Sequence, residues 1–146
     1  MNGIFLTLEG GEGCGKSTQL ERVAEALRAA AGREVVTARS PGGTAVAEKI
    51  RAILKTREPG EDLLPETELM LFGACHAQMC EHMIRPALAR GAVVISDRFT
   101  DSTLVYQGCA RRIAPETVAR VFLCRCVNQT LENVLGLLKV DAPEKM

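Results

Sequence analysis

Apolar runs and helical patterns alternate along this chain. Three short apolar runs lie at residues 4–9, 34–38 and 92–96. We expect each run to form a strand, and the third is apolar almost throughout, which is typical of a strand buried on both faces. Residues 135–140 provide a weaker candidate for a fourth strand.

Between the strands, apolar residues recur with the spacing of an amphipathic helix. The predicted first helix ends at Gly32, a second follows residue 44, and a long third one begins near Pro65. Pro86 should kink or restart the third helix because proline lacks an amide donor, and residues 115–134 predict a further irregular helix. The expected buried faces of the first three helices are Leu20, Val23, Ala24 and Leu27; Val46, Ile50, Ile53 and Leu54; and Met70, Ala74, Ala77 and Ile84.

This alternation of strand and helix predicts an α/β fold with a parallel sheet flanked by helices on both faces. Its 146 residues fit a single domain, residues 1–146. In such sheets ligands bind at the carboxyl ends of the strands. Polar clusters follow all three predicted strands, and the third cluster begins with Asp97-Arg98.

The loop after the first strand contains a complete phosphate-binding motif, G-x-x-x-x-G-K-S/T. Its glycines allow the backbone amides to point inward at a phosphate, and the following helix adds its amino-terminal N–H groups. We expect Lys16 to reach the β- and γ-phosphates and Ser17 to bind Mg²⁺. The motif predicts a P-loop NTPase-type three-layer sandwich, but it does not distinguish a kinase from a GTPase or a motor. The expected ATP-binding residues are Gly10, Gly11, Glu12, Gly13, Cys14, Gly15, Lys16, Ser17 and Thr18.

Composition excludes several other classes. The 18 basic residues equal the 18 acidic ones, so we expect neither nucleic acid nor a membrane surface as the main partner. The first residues lack the pattern of a secretion signal, and we therefore expect a cytoplasmic protein. Cys75, His76, Cys80 and His82 do not have the spacing of known metal ligands. We expect these two cysteines to be buried as small apolar residues and the two histidines to lie on the surface.

Four segments, in order, resemble those of bacterial thymidylate kinases over about residues 4–120. The P-loop with its flanks, TLEGGEGCGKSTQ, is the first, and RSPGGT followed by AEKIR is the second. The third comprises Leu71-Phe72, Ala77-Gln78 and the run IRPAL, and the fourth comprises DRFTDS and VYQG. Each motif is short, but the four together in this order are specific.

The resemblance implies phosphoryl transfer from MgATP to dTMP, giving dTDP for nucleotide biosynthesis. By resemblance, Arg39 and Arg98 hold the dTMP phosphate, and guanidinium forks suit that role. Glu12 accepts from the sugar 3′-hydroxyl, and Asp97 acts on Mg²⁺ through water. The resemblance further assigns Phe72 to stacking on thymine, Tyr106 to the deoxyribose, and Thr103, Gln107 and His76 to the remaining dTMP contacts.

The sequence also departs from the family pattern. Cys75-His76 stands where Asp-Arg is common, Ser40 replaces a glutamate and Phe99 replaces a tyrosine. Family members are longer and carry an arginine-bearing lid, or else an arginine within the P-loop, and neither is visible in this sequence. We therefore expect a truncated or divergent member that lacks the lid and carboxyl-terminal portion, with Arg111 and Arg112 as the nearest substitutes.

Three functions remain open from the sequence. The first is a thymidylate kinase that binds nucleotide and dTMP but turns over slowly. The second is a kinase for another nucleoside monophosphate, suggested by His76, and the third is a non-catalytic nucleotide-binding fragment. The family is commonly homodimeric through the long helix, where Met70, Met79 and Met83 could serve as the contact face.

Overall fold

A computed structural model describes residues 2–114 and 116–118. Two π-helical segments, Cys80–Ile84 and Leu104–Ala110, directly follow the helices Pro65–Met79 and Thr100–Thr103. Residues 116–118 are helical; the rest of the helix predicted for residues 115–134, and the strand predicted at 135–140, lie outside the described residues. The strands are β1 (Ile4–Leu8), β2 (Val35–Arg39) and β3 (Val93–Asp97), and the helices are α1 (Lys16–Ala31), α2 (Ala45–Lys55), α3 (Pro65–Met79), α4 (Arg85–Ala89) and α5 (Thr100–Thr103).

The three described strands form a parallel sheet in the order β1-β3-β2. The predicted α/β class is thus confirmed. The prediction that the third strand is buried on both faces is also confirmed, because the four consecutive residues from Val93 to Ser96, which alternate between the faces, are all buried. The strand bounds differ from the predicted ones by one residue, and Asp97 is the last residue of β3 instead of the first residue after it. Leu8, Asp97 and Arg39 lie side by side across the sheet.

Helices cover both faces of the sheet. Val93 and Ile95 pack with Leu20 and Ala24 of α1 on one face. Val94 points to the opposite face, where it belongs to a core cluster with residues of α2, α3 and α4. Because successive side chains of a strand alternate between faces, one central strand serves both clusters, and the molecule has the three predicted layers.

The predicted buried faces are right for α1 and partly wrong for α2 and α3. Met70 is 65% exposed and Val46 48% exposed, whereas we predicted both to face the core. The residues of α3 that are buried are Leu69, Gly73, Cys75, His76 and Met79. Apolar side chains surround most of α3, so their spacing does not identify one face.

The long helix is interrupted close to Pro86, as we predicted from the proline. The π-helical segment Cys80–Ile84 separates α3 from α4, and Pro86 lies in the first turn of α4. Proline cannot donate to the preceding turn, so a wider turn at this position leaves fewer backbone groups unsatisfied. Among the described helices, none is long and apolar enough to cross a membrane.

Candidate functional site

The loops that follow the three strands meet at one edge of the sheet. The Ser40 N–H donates to the Asp97 carbonyl at 2.9 Å, and the Arg98 N–H donates to the Leu8 carbonyl at 3.0 Å. These bonds continue the sheet ladder by one residue beyond each strand. The three polar clusters predicted at the carboxyl ends of the strands are therefore adjacent in space.

The P-loop, residues 10–17, connects β1 to α1. Gly15 immediately precedes α1 with φ at 86°, a left-handed conformation that glycine adopts without a Cβ clash. The Lys16 ammonium donates to the Gly11 carbonyl at 2.6 Å and lies 3.6 Å from the Cys14 sulfur. Glu12 and Cys14 are exposed. The loop thus presents backbone amides, a helix amino terminus and an ammonium group on one surface, which is the composition of an anion site.

Ser17 and Asp97 form a pair of oxygen ligands beside the P-loop. The Ser17 hydroxyl donates to Asp97 Oδ2 at 2.8 Å, although the two residues are 80 positions apart in the sequence. Asp97 Oδ1 is buried and has no hydrogen-bond partner among the described residues. A buried acceptor without a partner is costly, and this one is available to a further ligand.

Arg98 has a left-handed backbone, with φ at 66°. This conformation is uncommon for a residue with a long side chain. The Ser96 hydroxyl donates to the Arg98 carbonyl at 2.7 Å. The guanidinium donates to Ser102 Oγ at 3.0 Å and lies 5.2 Å from the centre of the Tyr106 ring. Local bonds therefore direct this permanent cation towards the exposed Tyr106.

Glu9 connects the end of β1 to the segment that follows Arg98. Its carboxylate accepts the Phe99 N–H at 2.9 Å and also the Ser102 hydroxyl. The sequence motifs do not assign Glu9 a role. The available signal was its position, directly after β1 and facing the strand end that carries Arg98.

Arg39 is half-exposed at the end of β2 and pairs with Glu48 of α2. Its terminal nitrogen donates to both Glu48 oxygens at 3.0 Å, and Glu48 also accepts the Gly43 N–H at 2.9 Å. The Gly43 amide, followed by Arg39, lowers the pKa of Glu48. Glu48 therefore stays ionised and holds both the loop backbone and the arginine.

The residues predicted to bind dTMP differ in how much of their surface is available. Tyr106 is 43% exposed, whereas Thr103 and Gln107 are both 2% exposed. The Gln107 amide donates to Glu68 at 2.9 Å, and Arg111 pairs with the same carboxylate. Phe72 is half-buried and, like Ile113, packs against the cluster formed by Leu69 and Val118.

His76 is buried between α3 and the loop after β2. It is 3% exposed, its Nε2 lies 2.6 Å from Ser40 Oγ, and its ring packs on Phe99 with 4.6 Å between centroids. Burial lowers the pKa of His76 to about 4, so the ring is neutral near pH 7. Among the described residues, no group of three or more His, Cys, Asp or Glu side chains is arranged to hold a metal.

Comparison with known proteins decides the family. Residues 8–144 match the family model described as thymidylate kinase. The chain belongs to the thymidylate kinase family. It is 56% identical over 120 residues to a thymidylate kinase of Pseudomonas fluorescens strain Pf0-1, covering 82% of this chain and 56% of that relative. A thymidylate kinase of Geobacter sulfurreducens is 53% identical, with 82% and 55% covered.

A solved structure supports the same family and fold. The crystal structure of thymidylate kinase from Ehrlichia chaffeensis matches with a TM-score of 0.76 at 36% identity, covering 83% of this chain and 68% of that one. The chain spans about half the length of the curated thymidylate kinases that it matches. The resemblance inferred from the four motifs is thus confirmed as family membership.

Within this thymidylate kinase fold, the predicted phosphate-side residues lie together. Lys16, Ser17, Asp97, Arg39 and Arg98 all lie at or beside the carboxyl ends of the three strands. The predicted base-side residues are less uniform, since Tyr106 is exposed while Thr103, Gln107 and His76 are buried. Their individual roles stay predictions.

Proposed function

We propose that this protein transfers the γ-phosphoryl group of ATP to dTMP, giving dTDP. The observation that carries the proposal is the placement of the P-loop, the Ser17–Asp97 pair and Arg98 at one sheet edge. Phosphoryl transfer requires little covalent chemistry from the protein, because positioning and charge stabilisation provide most of the catalysis. This edge offers both.

The donor phosphates fit the P-loop. Its amides and the amino terminus of α1 would hold the β- and γ-phosphates, and Lys16 would exchange the Gly11 carbonyl for a phosphate oxygen. A charged phosphate oxygen accepts from the ammonium more strongly than a neutral carbonyl does, which makes that exchange favourable. Lys16 would thereby neutralise charge that develops on the transferred group.

The Ser17–Asp97 pair fits Mg²⁺. A hydroxyl oxygen and a carboxylate are ligands that this hard cation prefers, and it commonly binds through one or two protein oxygens together with substrate phosphates. Asp97 Oδ1 is buried and accepts no hydrogen bond from the described residues, so it is a suitable acceptor for one of the water ligands of the ion. Ser17 and Asp97 would hold the ion beside the P-loop, where it would supply positive charge to the phosphates.

The acceptor would lie on the opposite side of the transferred group. Arg39 and Arg98 would hold the dTMP phosphate by bidentate bonds, with Glu12 near the sugar and the exposed Tyr106 against the deoxyribose. The Arg39 guanidinium would then either bind the phosphate and Glu48 together or separate from Glu48. Because that ion pair is largely exposed, separating it costs little.

A panel of acceptors tests the proposal. ADP formation with MgATP should be measured with dTMP, dUMP, dCMP, dGMP and AMP, each against a sample without acceptor. We expect dTMP to give the highest kcat/KM. Equal ADP formation without any acceptor, or a preference for a base other than thymine, would contradict it.

The predicted homodimer and the predicted cytoplasmic location stay predictions.

A further inference from the structure

We propose that the consecutive residues Cys75 and His76 of α3 are positioning residues that fix the β2–α2 loop, residues 40–44, and through it orient Arg39. The inference rests on the proposed function, because Arg39 matters only if this loop binds an acceptor phosphate. It replaces a direct base contact by His76 with an indirect role. Three sets of contacts carry it.

The first contact joins two of the sequence departures from the family pattern. Ser40 and His76 are 36 positions apart in the sequence, yet their side chains lie 2.6 Å apart in a buried hydrogen bond. Ser40 is 7% exposed and His76 3% exposed, so water competes little for this bond. A hydroxyl and a neutral imidazole can satisfy each other here, whereas a larger charged pair would need a different arrangement.

The second contact comes from the preceding residue. The Gly42 N–H donates to the Cys75 sulfur at 3.2 Å, and Cys75 is fully buried. Burial raises the pKa of the Cys75 thiol, so it remains a neutral, weak acceptor. Cys75 and His76 of α3 therefore contact the loop at two points, Gly42 and Ser40.

The third set of contacts comes from α2. Glu48 accepts the Gly43 N–H and the Arg39 guanidinium, and Arg51 donates to the Pro41 carbonyl. Each residue from Arg39 to Gly43 is thus bonded to α2 or α3. Loss of the α3 contacts would leave the loop attached through α2 and through the bond from the Ser40 N–H to the Asp97 carbonyl. The Ser40 side chain and the Gly42 amide would then lose their partners on α3.

His76 can be tested with a substitution that keeps the ring packing. His76→Phe retains an aromatic ring against Phe99 but removes the bond to Ser40, and Ser40→Ala removes the same bond from the other side. The double variant completes a cycle. Ile95→Val, in the core cluster on the opposite face of the sheet, is the control for mild destabilisation. Binding of dTMP and of ATP to the full chain should be measured by calorimetry.

We expect each single variant to weaken dTMP binding by about fivefold, the scale of one buried hydrogen bond, and to leave ATP binding within about twofold. The double variant should be no weaker than the single ones, because all three lack the same bond. His76→Asn, which keeps a hydrogen-bonding group, should recover part of the affinity. Additive losses, or equal losses for both nucleotides as in the control, would overturn the proposal.

A ligand-free measurement separates failure of this proposal from failure of the proposed function. Hydrogen exchange at the Gly42 and Gly43 amides should be faster in His76→Phe than in the wild type and unchanged in Ile95→Val. If the wild type binds no dTMP, the function fails, and faster exchange would still establish that α3 fixes the loop. Unchanged exchange at both amides in His76→Phe would overturn the positioning role whether or not dTMP binds.

Discussion

A side chain at position 42 would meet the Glu48 carboxylate, which binds Arg39 and the Gly43 amide. The φ of Gly42 is 133°, and a Cβ there would lie 2.6 Å from Glu48 Oε1. We predict that Gly42→Ala displaces Glu48 and weakens dTMP binding at least about fivefold. Gly60→Ala is the matched control, since Gly60 has φ at 83° but open space around it, so it incurs backbone strain alone. Equal dTMP affinities in both variants would contradict the prediction.

His76 should make stability depend on pH. Its pKa falls from 6.5 to about 4 on burial, so between those values the unfolded chain binds a proton that the folded chain does not. Stability is complete above pH 6.5 and falls as the pH is lowered towards 4. The difference of about 2.5 pKa units corresponds to at most about 3 kcal/mol.

Urea unfolding at pH 7.5, 5.5 and 4.5 measures this effect. His76→Gln should remove most of the loss in the free energy of unfolding between these pH values, relative to the wild type. His82→Gln, at an exposed position, is the matched control and should leave the loss as it is. If the free energy of unfolding depends on pH as strongly in His76→Gln as in the wild type, His76 is not the source of that dependence.

Asp97 tests the metal assignment. Asp97→Asn keeps the size of the side chain but removes the charge opposite Ser17, so we predict that Mg²⁺-dependent ATP binding weakens at least about tenfold. ATP binding without Mg²⁺ should change much less. Asp101→Asn, at an exposed position in the next helix, is the control and should bind ATP as the wild type does. If Asp97→Asn weakens ATP binding equally with and without Mg²⁺, Asp97 is not a metal ligand.

Residues whose roles follow from local sequence could be predicted, and residues paired across the fold could not. The P-loop is a continuous motif, and Asp97 follows a continuous apolar run, so local sequence located both. The metal role of Asp97 came from the family resemblance and not from its spacing. The bond between Ser40 and His76 joins positions 36 apart. Each residue alone is an unremarkable substitution, and only packing of α3 against the end of β2 gives the two a common role.

At the scale of elements, the Glu9 carboxylate connects β1 to α5. It accepts two bonds from the segment that follows Arg98, and charged acceptors contribute more than neutral ones. We predict that Glu9→Gln lowers the free energy of unfolding by about 1–2 kcal/mol and weakens dTMP binding. Glu25→Gln, on the exposed face of α1, is the control. An unfolding midpoint in Glu9→Gln equal to that of the control would contradict the role.

Element types were predictable, but the buried faces of two helices were not. Strands β1, β2 and β3 are short and bounded by turn residues, so their positions were right to within one residue. In α3 the apolar residues surround the helix, and Met70 is exposed although its type favours the core. Which side is buried depends on the π-helical segment and on contacts with α2, and neither is visible in the spacing.

At the scale of the whole molecule, the sheet brings together groups that the chain keeps far apart. Ser17 follows β1, Arg39 ends β2 and Asp97 ends β3, yet parallel alignment places all three at one edge. The order β1-β3-β2 puts the strand that carries Asp97-Arg98 between the P-loop and the Arg39 loop. Arg98 therefore lies between the P-loop and the Arg39 loop.

Direct detection of dTDP is the measurement that tests this account most directly. The full chain, Lys16→Ala and Lys49→Ala should each be incubated with MgATP and dTMP, and the nucleotides separated by chromatography. Lys49 is the matched control because it is exposed on α2. The account predicts dTDP from the wild type and from Lys49→Ala, and a loss of at least about a hundredfold in Lys16→Ala. No dTDP from the wild type, or equal dTDP from all three proteins, would contradict it.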